Sequence, residues 1–69
     1  MKHTPITSSN LASVGYDEPS QTLEVTFKNG ATYAYSRVPT SEYEALMAAD
    51  SHGKYLNAHI KPRYAATKL

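Results

Sequence analysis

Sixty-nine residues without a cysteine make one small domain, and they exclude a disulfide framework or a Cys-His zinc site as its support. The formal net charge of +1 is too small to call the whole protein basic, and no apolar run approaches the roughly 18 residues of a membrane span. The start, Met1-Lys2-His3-Thr4-Pro5, lacks the apolar stretch of a signal peptide, so a cytoplasmic location is the expectation.

Residues 1–7 have no periodicity and contain Pro5, which reads as a loose N-terminal arm. Val14 and Tyr16 then alternate, and Asp17-Glu18-Pro19-Ser20 has turn chemistry, so a first strand is expected around Ala12 to Tyr16. The short turn allows only antiparallel pairing with Thr22 to Lys28. Gly15 marks either a bulge or a close packing approach.

The strongest local signal is a hairpin from Leu23 to Val38, with Leu23, Val25 and Phe27 alternating before Asn29-Gly30 and Tyr33 and Tyr35 on the return. Two registers are open. A two-residue loop at Asn29-Gly30 sets Val25 opposite Ala34 and sends both tyrosines to the other face. A three-residue loop, Lys28-Asn29-Gly30 with a left-handed Gly30, sets Val25 opposite Tyr33 and Leu23 opposite Tyr35. One residue of slip moves every side chain across the sheet, and the second register collects the better core, so it is favoured. The expected sheet is a three-stranded antiparallel meander.

Val38-Pro39 ends the sheet, and Thr40 or Ser41 can cap a helix from about Ser41 to Ala49, with Glu44 completing a capping box. Tyr43, Leu46 and Met47 form its inward stripe, with Glu42 and Glu44 outside it. Asp50-Ser51 caps a second helix whose inward residues are Tyr55, Leu56 and Ile60, ended by Pro62. The expected architecture is α+β, a meander with two C-terminal helices packed on one face, in a single domain over residues 8–64. Arg63-Tyr64 folds back onto the core, and residues 65–69 form a flexible tail. A chain this short buries only about 60% of its unfolded surface, so nearly all of its large apolar and tyrosine side chains are needed inside.

Charge is distributed unevenly. Residues 1–51 carry three basic and six acidic side chains, whereas residues 52–69 carry Lys54, Lys61, Arg63 and Lys68 with no acid. This asymmetry permits a nucleic acid or an acidic protein to bind through the C-terminal third, although ordinary surface solvation also produces it.

No converging catalytic set can be assembled, so the chain reads as a non-enzyme without cofactor or metal. His52 and His59 stand two helical turns apart, about 10.5 Å along the axis, too far to share a metal. A P-loop at Gly53-Lys54 would need glycine at Ala48 and a hydroxyl residue at Tyr55. The sharper candidate is an anion site at the second helix start, where Ser51, His52 and Gly53 offer backbone N–H groups and Lys54 adds charge. Its bland counterpart has Ser51 merely capping, Gly53 packing and Lys54 solvated.

Ser8-Ser9, Leu11, Val14-Gly15-Tyr16-Asp17, Leu23-x-Val25-x-Phe27, Gly30, Tyr33-x-Tyr35, Val38-Pro39, Tyr43, Leu46, Ser51-x-Gly53-Lys54-Tyr55-x-Asn57, Ile60 and Tyr64 together form a pattern. It resembles the KTSC domain, a family named for the C-terminal extension of some lysyl-tRNA synthetases and found also as small bacterial and phage proteins. The resemblance spans Ser8 to Tyr64. It implies no established activity, and it suggests RNA binding through attachment to a tRNA enzyme. Leu56 departs from it, standing where an aromatic is expected, which removes one stacking group.

Two function classes remain. One is an RNA-binding module using Ser51, Gly53, Lys54, Lys61 and Arg63, with an exposed Tyr35 or Tyr64 for stacking, and with Lys2 and Lys28 of little importance. The other is a module docking on a host or partner protein through its hydrophobic rim or the free edge of its sheet.

Overall fold

Alternation in Leu23-x-Val25-x-Phe27 makes a strand because every second side chain can be buried while its neighbours stay in water. In a computed structural model, which describes residues 2–69, that strand is β3 (Thr22–Phe27), at the centre of a five-stranded antiparallel sheet. The other strands are β1 (His3–Pro5), β2 (Leu11–Asp17), β4 (Thr32–Tyr35) and β5 (Ala66–Lys68), and the order across the sheet is β1-β2-β3-β4-β5. The α+β class and the central meander are as expected; the strand count of three is short by two. The segments read as loose ends supply the edges, β1 pairing Thr4 with Val14 and β5 pairing Ala66 with Tyr35. Neither has a hydrophobic period of its own, and a neighbouring strand supplies the backbone partners that hold it. Met1 of the expected arm lies outside the described residues.

The β3–β4 hairpin takes the three-residue loop. Val25 stands opposite Tyr33 and Leu23 opposite Tyr35, the Phe27 N–H donates to the Ala31 carbonyl at 2.8 Å, and Gly30 has φ of 93°. In β2 the irregularity lies between Leu11 and Ser13, at Ala12 rather than at Gly15. The reason is parity: Leu11 stands three residues before Val14, and only an extra residue lets both face the core. Gly15 keeps regular register between His3 and Glu24, whose side chains meet at 2.9 Å.

Helix α1 (Thr40–Ala48) and helix α2 (His52–Tyr55) follow, and α2 runs on into a π-helical stretch, Leu56–Ile60. Both pack on one face of the sheet, where Leu11, Val14, Leu23, Val25, Val38, Leu46, Leu56 and Ile60 are fully buried. No helix among the described residues is long and apolar enough to cross a membrane.

The capping box expected at α1 does not form. Pro39 is the N-cap and makes no side-chain bond, while the Thr40 hydroxyl lies 3.4 Å from the Tyr16 hydroxyl. Tyr16 stacks on Tyr43 with centroids 4.6 Å apart and donates to the Val38 carbonyl at 2.6 Å, so this aromatic pair fixes the entry to the helix. At α2, Ser51 caps as expected, accepting from the Lys54 N–H at 3.3 Å.

Glu42 lies on the inner side of α1, contrary to its expected outward place, with its side chain only 11% exposed. Its carboxylate accepts hydrogen bonds from the Tyr55 hydroxyl and, at 3.1 Å, from the Tyr64 hydroxyl, and Arg63 stands 3.8 Å away. A largely covered carboxylate is best tolerated with such partners. The clasp joins α1, α2 and the chain after Pro62.

Gly30→Ala has open space around its new β-carbon, yet forces it into a left-handed backbone, so denaturant unfolding should show a loss of about 1 kcal/mol or more. Leu46→Ala and Ile60→Ala should each cost about 2–5 kcal/mol, most of what a chain of this size possesses, and should lower the melting temperature far more than any surface change. Glu42→Ala leaves two tyrosine hydroxyls without their acceptor and should cost about 1–3 kcal/mol.

A pH dependence accompanies the clasp. Tyrosine ionisation is pushed above the ordinary 10.0 at Tyr55 chiefly by its bond to the Glu42 carboxylate, at Tyr64 by burial and then that same carboxylate, and at Tyr35 by burial and then Tyr33. The unfolded chain therefore releases these protons first. Stability from this source is complete below the ordinary tyrosine value and declines as pH rises through the folded values. Denaturation midpoints measured from about pH 8 to 11 should hold steady and then fall, with a shallower fall in Glu42→Ala.

Candidate nucleic-acid interface

Three segments distant in sequence meet at the tip of the β3–β4 hairpin. The Lys28 N–H donates to the Asn10 carbonyl at 2.9 Å, tying the tip to the loop before β2. That loop is shaped by Ser8, whose hydroxyl accepts from the N–H groups of Asn10 and Leu11, both at 3.3 Å. The third segment is the second helix, presenting Gly53, Asn57 and Lys61. Residues four apart drift around an α-helix, and the wider π turn, in which the Lys61 N–H bonds to the Leu56 carbonyl at 2.8 Å, brings these three back to one side.

Between them runs a groove with two adjoining bays. The first, about 320 Å³, is lined by Ser9, Asn10, Lys28, Gly53, Leu56 and Asn57. The second, about 490 Å³, is lined by Tyr33, Tyr35, Tyr64 and Ala66. Phe27, Asn29 and Lys61 border both. Phe27 is half-buried, meets Tyr33 edge-on at 5.6 Å, and carries the Lys61 ammonium 5.5 Å from its ring centre. No acid is among the described residues that line either bay, so two lysines dominate its charge.

The residues singled out from sequence divide between this groove and other surfaces. Gly53, Lys61, Tyr35 and Tyr64 come together in it. Tyr35 is not an exposed platform: opposite Leu23 it is only 3% exposed and belongs to the floor. Ser51 and Lys54 lie elsewhere, around a shallow depression with Tyr55 and His59. Arg63 borders a third surface with Arg37 and leans towards Glu42. The anion site at the helix start and the basic flank are thus separate places. Lys28, set aside on sequence grounds, lines the groove beside Lys61 because the hairpin tip folds against the helix.

The space at Gly53 is less tight than a close packing requirement implies. An added β-carbon would meet the Asn10 amide nitrogen at 3.6 Å and the Ser8 hydroxyl at 3.8 Å, ordinary contacts. Leu56, at the position where the resemblance led to an aromatic, is fully buried and offers no stacking face. The histidines contact nearby groups: His3 joins Ser13 at 3.0 Å and Glu24, His52 reaches the Met47 carbonyl at 3.3 Å, and His59 leans on Tyr55. His3 is in β1 rather than in a loose arm. Among the described residues no group of three or more His, Cys, Asp or Glu side chains could hold a metal.

Sequence reasoning did not bring Phe27, Lys28, Asn29 and Asn57 together on one surface. The Asn29-Gly30 turn signal located the hairpin tip, yet nothing local says which segment it touches.

Comparison with known proteins agrees with the pattern of residues. The chain is 42% identical over 65 residues to a protein of Tsukamurella paurometabola, covering 94% of this chain and 97% of that one. It is 45% identical over 64 residues to an uncharacterised protein of Stutzerimonas stutzeri, covering 93% and 90%. A lysine–tRNA ligase of Nostoc punctiforme matches at 34% identity over 61 residues, which is 88% of this chain but 11% of the ligase. The crystal structure of a KTSC domain protein from Yersinia pestis superposes with a TM-score of 0.93 at 33% identity, covering 99% of this chain and 96% of that one. The KTSC domain family matches residues 7–64, and the chain belongs to that family.

Proposed function

We propose that this domain is a non-enzymatic module that binds unpaired RNA in the groove at the hairpin tip. The observation that carries the reading is the combination of a half-buried aromatic ring, Phe27, with two lysines, Lys28 and Lys61, in a groove bordered by asparagines and free of acids. Aromatic faces stack on bases whatever their identity, and ammonium groups neutralise phosphate. The matching segment within a lysine–tRNA ligase supports a setting in which RNA is at hand. Lys54 and Arg63, on other surfaces, add longer-range attraction that salt screens.

Binding should be weak and salt-sensitive. With the two groove lysines engaged, log affinity should fall against log salt with a slope of about −1.4 on single strands. Titration with mixed cellular RNA at low salt tests this directly. Lys28→Glu with Lys61→Glu should abolish binding without lowering the melting temperature, whereas Lys54→Glu should change it little. Binding by the double variant as tight as by the parent, or no binding by the parent, overturns the reading.

A second reading rests on a different surface. The three residues of β5 are all exposed at a sheet edge, and Leu69 beside them is 66% exposed. Such an edge can accept an added strand from a partner protein. It predicts a specific protein retained from lysate after ribonuclease treatment and at moderate salt, which RNA-mediated capture would not survive.

A further inference from the structure

We infer that the groove is a two-nucleotide site, taking one unpaired base in each of the two bays that Phe27 borders, with the linking phosphate on Lys61. This rests on the RNA reading above and specifies its footprint. The bays have volumes of about 320 and 490 Å³, both within the usual range of ligand sites. They adjoin at Phe27, Asn29 and Lys61, which border both, so Lys61 is the cation within reach of a phosphate joining the two. Lys28 borders only the first bay and suits the phosphate on its outer side.

The bays differ in chemistry. The first alone is lined by the side-chain amides of Asn10 and Asn57, each able to donate and accept, which is what reading a base edge requires, while Asn29 borders both bays. The Asn29 carbonyl oxygen already accepts from the Ala31 N–H at 3.0 Å, which leaves its amide hydrogens to donate to a base. The second bay is walled by Tyr33 and Tyr64 over Tyr35, and aromatic walls stack without regard to base identity. The site therefore discriminates more strongly at the nucleotide in the first bay than at its neighbour. Past Tyr64 the surface runs on to Ser36, Arg37 and Arg63, which add charge but no further aromatic ring.

Oligoribonucleotides of mixed sequence, from one to six nucleotides, titrated against the full chain and followed by NMR of the asparagine side-chain amides, test the footprint. A second stacked base should raise affinity about tenfold or more over a mononucleotide, and further nucleotides should add only statistical gains. Phe27→Leu keeps an apolar contact but removes the stacking ring, and should weaken dinucleotide binding about tenfold or more. Asn57→Ala, at an exposed position that the fold does not need, should erase base preference at one position and leave the salt slope unchanged. Affinity that climbs by equal steps through six nucleotides, or a Phe27→Leu variant that binds like the parent, overturns the two-nucleotide site while the RNA reading stands. Absence of binding at every length overturns both.

Discussion

The left-handed Gly30 in the hairpin loop decides the register on which the molecule is built. With three residues in the loop, Tyr33 and Tyr35 share a face with Leu23 and Val25, and that face becomes wide enough to seat two helices. With two, both rings would cross the sheet, and a chain of this size has no other apolar surface to replace them. The same loop places Phe27, Lys28 and Asn29 at the tip, where the groove forms. Core and candidate site thus share one backbone conformation.

A half-buried carboxylate ties the rest to that sheet. Glu42, on the covered side of the first helix, would be costly if unpaired, and the Tyr55 and Tyr64 hydroxyls make it tenable. Through them the first helix holds the second and holds the chain after Pro62, from which β5 starts. Tyr64 is also a wall of the larger bay, so a contact that stabilises the fold sets one side of the groove. Destabilising the clasp and misshaping the groove are for this reason physically coupled.

Charge gains meaning only once it is placed. Counted along the chain, the C-terminal third is basic, yet Lys54, Lys61 and Arg63 face three different surfaces. What concentrates positive potential is the approach of Lys28, from the more acidic part of the chain, to Lys61, in a groove that excludes acids. A small net charge is compatible with a local site of this kind, because screening confines the effect of each side chain to its neighbourhood.

By itself, the sequence determined the α+β class, the central meander, the two helices and nearly the whole core. Those features follow from local rules: period two in Leu23-x-Val25-x-Phe27, turn chemistry at Asn29-Gly30, a cap at Ser51, and the spacing of Leu46, Leu56 and Ile60. The motif residues also pointed to the family. Tertiary structure decided the edge strands β1 and β5, which have no hydrophobic period and exist because a neighbour offers hydrogen bonds. It decided the bulge at Ala12, the inward Glu42 and the π turn after Tyr55, each fixed by what packs against it. It decided the groove as well, because the meeting of Asn10, Phe27, Lys28, Asn57 and Lys61 depends on contacts between segments far apart in the chain, and local pattern carries no information about those.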